Sequence, residues 1–191
     1  MPAQQQAVDV GCYTTPMLKF ITTSLLTFIL LTTFAQTDRK VTTYLSAQFD
    51  NTLYDKTKGN NPWGIGLGLQ SRLNTSTRFK PTIELTADIY LEDDKTLTTI
   101  NDIPLQDVRH MVNLFAGSAF KVTKELSVSF TAGPSFIGGQ TFVGIKPSVE
   151  VFFSKNNRLT AKAYYINIFY REKITSSDFG SVGLAFGIKL F

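Results

Sequence analysis

From Val41 to the end of the chain, apolar and polar residues alternate with a period of two. The alternation recurs in about eight separate runs, which predicts strands with one oily and one polar face. The first run has Val41, Thr43, Leu45, Ala47 and Phe49 against Tyr44, Ser46, Gln48 and Asp50. The second sets Trp63, Ile65, Leu67, Leu69 and Leu73 against Gly64, Gly66, Gly68, Gln70 and Arg72. The third, from Pro81, sets Ile83, Leu85, Ala87, Ile89 and Leu91 against Thr82, Glu84, Thr86, Asp88, Tyr90 and Glu92.

Five more runs follow. In the fourth, Val112, Leu114, Ala116, Phe120 and Val122 oppose Asn113, Phe115, Gly117, Ala119 and Lys121. In the fifth, Leu126, Val128, Phe130 and Ala132 oppose Glu125, Ser127, Ser129 and Thr131. In the sixth, Val143, Ile145, Val149, Val151 and Phe153 oppose Gly144, Lys146, Ser148 and Glu150. The seventh places Tyr164, Ile166, Ile168 and Tyr170 on the apolar face, with Ala163, Tyr165, Asn167 and Arg171 on the other. The eighth alternates Val182, Leu184, Phe186, Ile188 and Leu190 with Gly183, Ala185, Gly187 and Lys189, and Phe191 follows out of phase. No segment keeps a helical period over three turns. Pro134 and Pro147 fall inside runs and remove a ladder donor each, so a bulge or a strand end is expected at both.

The connections alternate in length. "DNTLYDKTKGNNP" and "DDKTLTTINDIPLQD" are long, whereas "TK" and "SKNNR" are short. Short turns at one end and long loops at the other suit an up-and-down barrel crossing a membrane. "NTSTRFK" is longer than a tight turn, and "FIGGQ" is short for an outer loop.

Composition narrows the choice. Charged residues are 18% of the chain and aromatics 13%, with 16 Phe. The net charge of +4 is not gathered into a basic block, so nucleic acid is not an expected partner. Cys12 is the single cysteine, which excludes an internal disulfide and a Cys/His metal cluster. From Met17, "MLKFITTSLLTFILLTTFAQT" has a basic start at Lys19, an apolar stretch and a small residue, Ala35, before Gln36. That is a secretory pattern, so residues 17–35 are expected to be a cleaved signal peptide. Residues 1–16 fit no part of it and are expected to be an unstructured extension or a mis-assigned start. Residues 36–191 are expected to form the barrel.

Alternation alone does not say which face is the core, and a soluble ligand-carrying barrel also alternates. Three features favour oily side chains outward. The other face holds Arg72, Glu84, Asp88, Lys121, Lys146, Glu150 and Lys189 among Gly, Ala and Ser, which suits a narrow interior filled by a charge network. Aromatics gather near the strand ends as two girdles: Phe49, Trp63 and Tyr170 at one, Phe120, Phe153 and Tyr164 at the other. Lys162 is expected on the apolar face, snorkelling to headgroups. An even number of strands closes the barrel with no unpaired edge.

On these residues Val41–Phe191 resembles the small eight-stranded outer-membrane barrels of the OmpA/OmpX type. The resemblance implies an all-β fold, an eight-stranded antiparallel up-and-down transmembrane β-barrel, in the outer membrane of a bacterium with two membranes. It implies outer-membrane lipid and lipopolysaccharide as surroundings. It also implies that Phe186, Ile188, Leu190 and Phe191 form a signal read by the barrel-assembly machinery. The expected role is structural or surface-interacting, with an unidentified extracellular partner and an interior plugged by side chains. A narrow pore or part of a transport complex is the alternative, and a soluble periplasmic carrier ranks below both. No cofactor, metal or catalysis is expected. His110, the single histidine, reads as a rim residue; the His-x-Ser pair of lipid A-deacylating barrels would need Ser where Val112 stands. The acids of "DNTLYD" and "EDDK" lack cation-loop spacing and read as solvated loops. "GIGLG" and "GPSFIGG" are followed by no helix and are not phosphate loops.

Overall fold

A computed structural model describes residues 40–53, 61–93, 99–100, 103–104, 108–153, 156–169 and 179–191. The strands are β1 (Val41–Thr52), β2 (Trp63–Leu73), β3 (Phe79–Leu91), β4 (Thr99–Ile100), β5 (Ile103–Pro104), β6 (His110–Lys121), β7 (Leu126–Ile137), β8 (Gln140–Phe153), β9 (Leu159–Phe169) and β10 (Phe179–Lys189). Eight of them close into one antiparallel barrel in the order β1-β10-β9-β8-β7-β6-β3-β2, and β4 with β5 make a separate two-stranded hairpin. The expected segments 1–16 and 17–35 lie outside the described residues.

Closure is made by β1 against β10, in register from Tyr44 opposite Lys189 to Thr52 opposite Ser181. Beyond the regular strand, Leu190 donates to the Thr43 carbonyl at 2.8 Å and Thr43 donates to the Phe191 carbonyl at 3.2 Å. The strand itself ends at Lys189, so Phe191 falls outside the alternation. Thr43, expected on the oily face, is buried and shares a 3.0 Å hydrogen bond with Ser71.

At one rim the strand ends are separated in sequence by the short stretches 74–78, 122–125 and 154–158; at the other they are separated by the longer stretches 53–62, 92–109 and 170–178. By the rule that short turns face the periplasm, the first rim is the inner one. The exception at the outer rim is the β7–β8 hairpin. Gly138 and Gly139 have φ of 55° and 79°, the pair of left-handed residues that a two-residue hairpin turn requires. "FIGGQ" is therefore a tight turn at the outer end.

The prolines behave differently from expectation. Both lie inside strands, and no bulge shifts the register on either side of them. The β6–β7 ladder instead skips Leu114 and Phe115 opposite Pro134 and Gly133, then resumes in the same register. The β8–β9 ladder skips Lys146 and Pro147 in the same way, between Ile145–Asn167 and Ser148–Tyr164. Each proline keeps pairing with its other neighbour, Pro134 with Val143 and Pro147 with Phe130. The missing N–H thus opens one side of the ladder and leaves strand length and phase intact.

The seventh run needs a larger correction. Tyr164, Ile166 and Ile168 point into the barrel and are buried, whereas Ala163 and Phe169 face outward. The parity assigned from sequence is inverted for this strand. Tyr164 is therefore not a girdle residue, and Lys162 is inside rather than snorkelling. The segment "AYYINIF" is apolar on both faces, so alternation alone cannot orient it. Its outward polar groups satisfy each other, the Tyr165 hydroxyl donating to Asn167 Oδ1 at 3.0 Å. Tyr170 and Arg171 lie outside the described residues.

Candidate functional site

The outward wall is apolar around the whole barrel. Phe186 is 66% exposed, Leu67 62% and Ile83 58%, and their neighbours Leu85, Ile65 and Leu184 are also exposed. A water-soluble protein rarely exposes a patch larger than a few hundred Å². Phe49 and Trp63 stack at 5.4 Å at the outer end of β1 and β2, and Phe79 and Phe120 at 5.0 Å at the inner end of β3 and β6. Phe153 is exposed at the inner end of β8. A groove of about 580 Å³ runs over the small Ala163 between Phe49, Val149, Tyr165 and Leu184.

The inward side chains lie in layers. At the inner mouth is a polar recess of about 230 Å³, walled by Arg72, Lys80, Lys121 and Lys189 with Asn74 and Asn156. Lys121 and Lys189 are half-buried there. They stand apart from the ion pairs deeper in the barrel, of which the described residues form two groups.

The first deep group joins Arg72 to Glu150, with the guanidinium also lying 5.4 Å from the Phe152 ring and 5.9 Å from the Tyr44 ring. The second centres on Glu84, which accepts from Lys146 at 2.5 Å and from Lys162 at 3.2 Å. Lys146 also donates to Gln48 at 3.1 Å and lies 4.0 Å above the Tyr164 ring. Arg72 on β2 faces Glu150 on β8, and Glu84 on β3 faces Lys162 on β9; each pair joins strands four places apart around the eight-stranded wall. The bridges therefore span the diameter. Each of these side chains is at most 7% exposed, a burial that charged groups tolerate only when paired.

Above this layer sit Asp50 and Asp88. Asp88 accepts from Thr86 at 3.1 Å and from Asn113 at 3.4 Å. Near the outer end an apolar cluster of buried residues is made by Tyr90, Met111, Ile137, Phe142, Ile166, Ile168 and Phe179. The Tyr90 and Phe179 rings meet edge to face at 5.0 Å.

Glycines make room for these large inward groups. A Cβ on Gly183 would lie 2.3 Å from Tyr164 Cζ, one on Gly144 2.9 Å from Phe115 Cζ, and one on Gly64 2.7 Å from Tyr90 Cε1. The "GIGLG" glycines of β2 are thus the floor on which interior side chains lie.

Of the seven residues expected to form an interior network, Arg72, Glu84, Lys146 and Glu150 are brought together as ion pairs. Asp88 is buried but bonded only to neutral groups, and Lys121 and Lys189 line the inner mouth. Lys162, Gln48 and Asp50 complete the constellation and were not expected in it. A charged residue in mid-strand is the signal that identifies Lys162, because lipid on the other face would leave its ammonium unpaired. Phe186 and Ile188 face outward on β10, with Leu190 and Phe191 just beyond it. His110 is exposed at the outer end of β6, opposite Ile89. Among the described residues no three His, Cys, Asp or Glu side chains come together as a metal site.

A closed barrel with an oily belt and a charged, buried interior is an eight-stranded transmembrane β-barrel of the outer-membrane class. Single-chain barrels of even strand number, with short turns at one rim and long loops at the other, reside in bacterial outer membranes, and this chain is placed there. No protein-family model and no curated protein matches the chain. Among solved structures it is similar to the Yersinia pestis outer membrane protein Ail in a phospholipid nanodisc. That match has 14% identity and a TM-score of 0.49, covering 78% of this chain and 99% of that one. Neisserial surface protein A gives 13% identity and 0.49, covering 78% and 96%. A de novo designed transmembrane β-barrel gives 10% identity and 0.49, covering 78% and 95%.

Proposed function

We propose that this chain is a non-catalytic outer-membrane protein with a structural or surface-interaction role, its interior plugged by its own side chains. One observation carries the reading. Ion pairs tie diametrically opposed strands together at the axis, Arg72 to Glu150 and Glu84 to Lys162, with an apolar cluster above them. A lumen so crossed supports a rigid wall better than a conduit. The outer ends of the strands are joined by connections 53–62, 92–109 and 170–178, which would carry contact with an extracellular partner and with lipopolysaccharide. The outward Phe186 and Ile188, with Leu190 and Phe191, would be the part of the closing strand that the barrel-assembly machinery reads.

Two measurements test this. In planar bilayers the purified barrel should give no steady, ion-selective steps. Regular steps of one size would overturn the plug. On intact cells, protease should cut within 54–60 or 171–178 and spare the turns 74–78 and 122–125; the reverse pattern would overturn the surface assignment. A second reading, a narrow pore or transport component, is favoured by the cation-lined recess at the inner mouth. The bilayer measurement decides between them.

A further inference from the structure

The inner mouth of the barrel carries more positive charge than its surroundings neutralise. Four cations wall the recess of about 230 Å³ there, Arg72, Lys80, Lys121 and Lys189, and no carboxylate is among its lining. Glu150 answers Arg72 from deeper in the barrel. Among the described residues no ion pair reaches the three lysines. Lys80 donates to the Thr75 carbonyl. The Lys121 and Lys189 ammonium groups have no hydrogen-bond partner among the described residues. Arg72, 6% exposed, also keeps a buried Nε–H without an acceptor.

The topology gathers these groups around one recess. Lys121 on β6 and Lys189 on β10 stand four places apart in the ring of eight, so they face each other across the mouth. Lys80 joins them from β3, where it pairs with Ala119, two residues before Lys121 on the same inward face. All three lysines are half-buried. Like charges gathered in a partly dehydrated recess repel one another, and an anion seated among them reverses the sign of that energy. The wider rim has the same bias. Lys40, Arg78, Lys124 and Arg158 are exposed around it, and Glu125 is the one acidic side chain among its described residues. A rim of one sign draws anions toward the recess.

Size and charge point to the ligand class. Drug-sized molecules occupy pockets of roughly 300–1,000 Å³, so a recess of about 230 Å³ takes a smaller group. A carboxylate presents two oxygens along one edge. A phosphate presents three or more in different directions, which suits donors that arrive from β3, β6 and β10. Lysine binds phosphate as a point charge and needs no forked geometry to do so.

We propose that the inner mouth is a binding site for a phosphate group, held by Lys80, Lys121 and Lys189 over Arg72 and reached from the periplasm. The phosphate is carried by a soluble compound or by the headgroup of an inner-leaflet phospholipid bent over the rim. The site lies on the periplasmic side of the axial ion pairs, so it does not depend on whether the lumen conducts.

The test uses the full chain folded in a neutral, phosphorus-free detergent, folding being verified by heat-modifiable gel mobility. Inorganic pyrophosphate is titrated at physiological ionic strength and followed by calorimetry and phosphorus NMR. Expected are saturable binding of one pyrophosphate per chain and competition by inorganic phosphate. Lys121→Gln and Lys189→Gln, separately, should each weaken binding by about tenfold or more, the size of one charge-assisted hydrogen bond. Lys124→Gln, on the exposed turn, should change it by less than about twofold. A folded wild-type barrel that binds neither pyrophosphate nor phosphate overturns the proposal, for the lysines are then held by water alone. So does an equal loss in Lys124→Gln and Lys121→Gln, which would mean diffuse attraction by the rim and no site. If either recess variant fails to fold, Lys80→Gln supplies the same comparison. Once binding is seen, a short-chain phosphatidylglycerol decides the source: displacement of pyrophosphate identifies the lipid headgroup, and retention identifies a soluble phosphate compound.

Discussion

Glu84→Gln removes the negative charge on which two buried lysines depend while keeping the shape of the side chain. Glu84 is 4% exposed, and its two oxygens take one ammonium each, Lys146 at 2.5 Å and Lys162 at 3.2 Å. A charge-assisted hydrogen bond contributes about 1.5–3 kcal/mol, so two of them set the scale. After substitution Gln48 still accepts from Lys146, and Glu150 remains near Lys162, its cross-strand partner. Those remnants recover part of the loss. The net cost is expected at about 3–5 kcal/mol, the range for breaking a buried pair by removing one partner. The assay is reversible urea unfolding in lipid vesicles, followed by gel mobility and tryptophan emission from Trp63. A companion variant, Glu84→Leu with Lys146→Met and Lys162→Met, removes all three charges and should recover most of the stability, because packed apolar groups replace the pair without a desolvation penalty. A loss below about 1 kcal/mol for Glu84→Gln, with no recovery in the triple variant, would refute the idea that axial ion pairing holds the lumen.

Two other outcomes follow from the same architecture. Leu85→Arg puts a guanidinium on the lipid face near mid-membrane and should cost about 2–4 kcal/mol, whereas Thr86→Ser, its inward neighbour, should be nearly silent; equal effects in a folding titration would contradict the orientation of the wall. Gly183→Ala places a Cβ 2.3 Å from the Tyr164 ring and should cost about 1–3 kcal/mol, with most of that recovered in a Tyr164→Leu background.

The strand set was legible because lipid and a narrow lumen impose opposite demands on successive residues. β2 is the run Trp63–Leu73 as read from its alternation, and β3 keeps the alternation read from Pro81 to Leu91 but starts two residues earlier, at Phe79. Where both faces are apolar the signal fails. β9 presents Ile166 and Ile168 to an apolar cluster inside and Ala163 and Phe169 to lipid outside, so period two carries no direction there. Lys162 held the missing information, since only the lumen offers its ammonium a carboxylate. The prolines show a related limit. A missing donor predicts a broken ladder, but which neighbour loses it depends on the direction the N–H would have pointed, which is a property of the sheet.

The interior was legible in kind and not in its pairing. Charged residues with inward parity announce a polar core, yet Glu84 and Lys162 are 78 residues apart and meet only because β3 and β9 stand opposite in a ring of eight. Tyr90 and Asp88 lie over Gly64 and Gly66 of β2 because neither glycine has a side chain to displace them. By itself the chain of residues determined that strands would form, which side of most of them is oily, and that the barrel lies in a membrane, because these depend on nearest-neighbour alternation and composition. The tertiary structure decided which charges pair across the axis and how β9 is turned, because those depend on closure, register and the curvature that brings distant strands face to face.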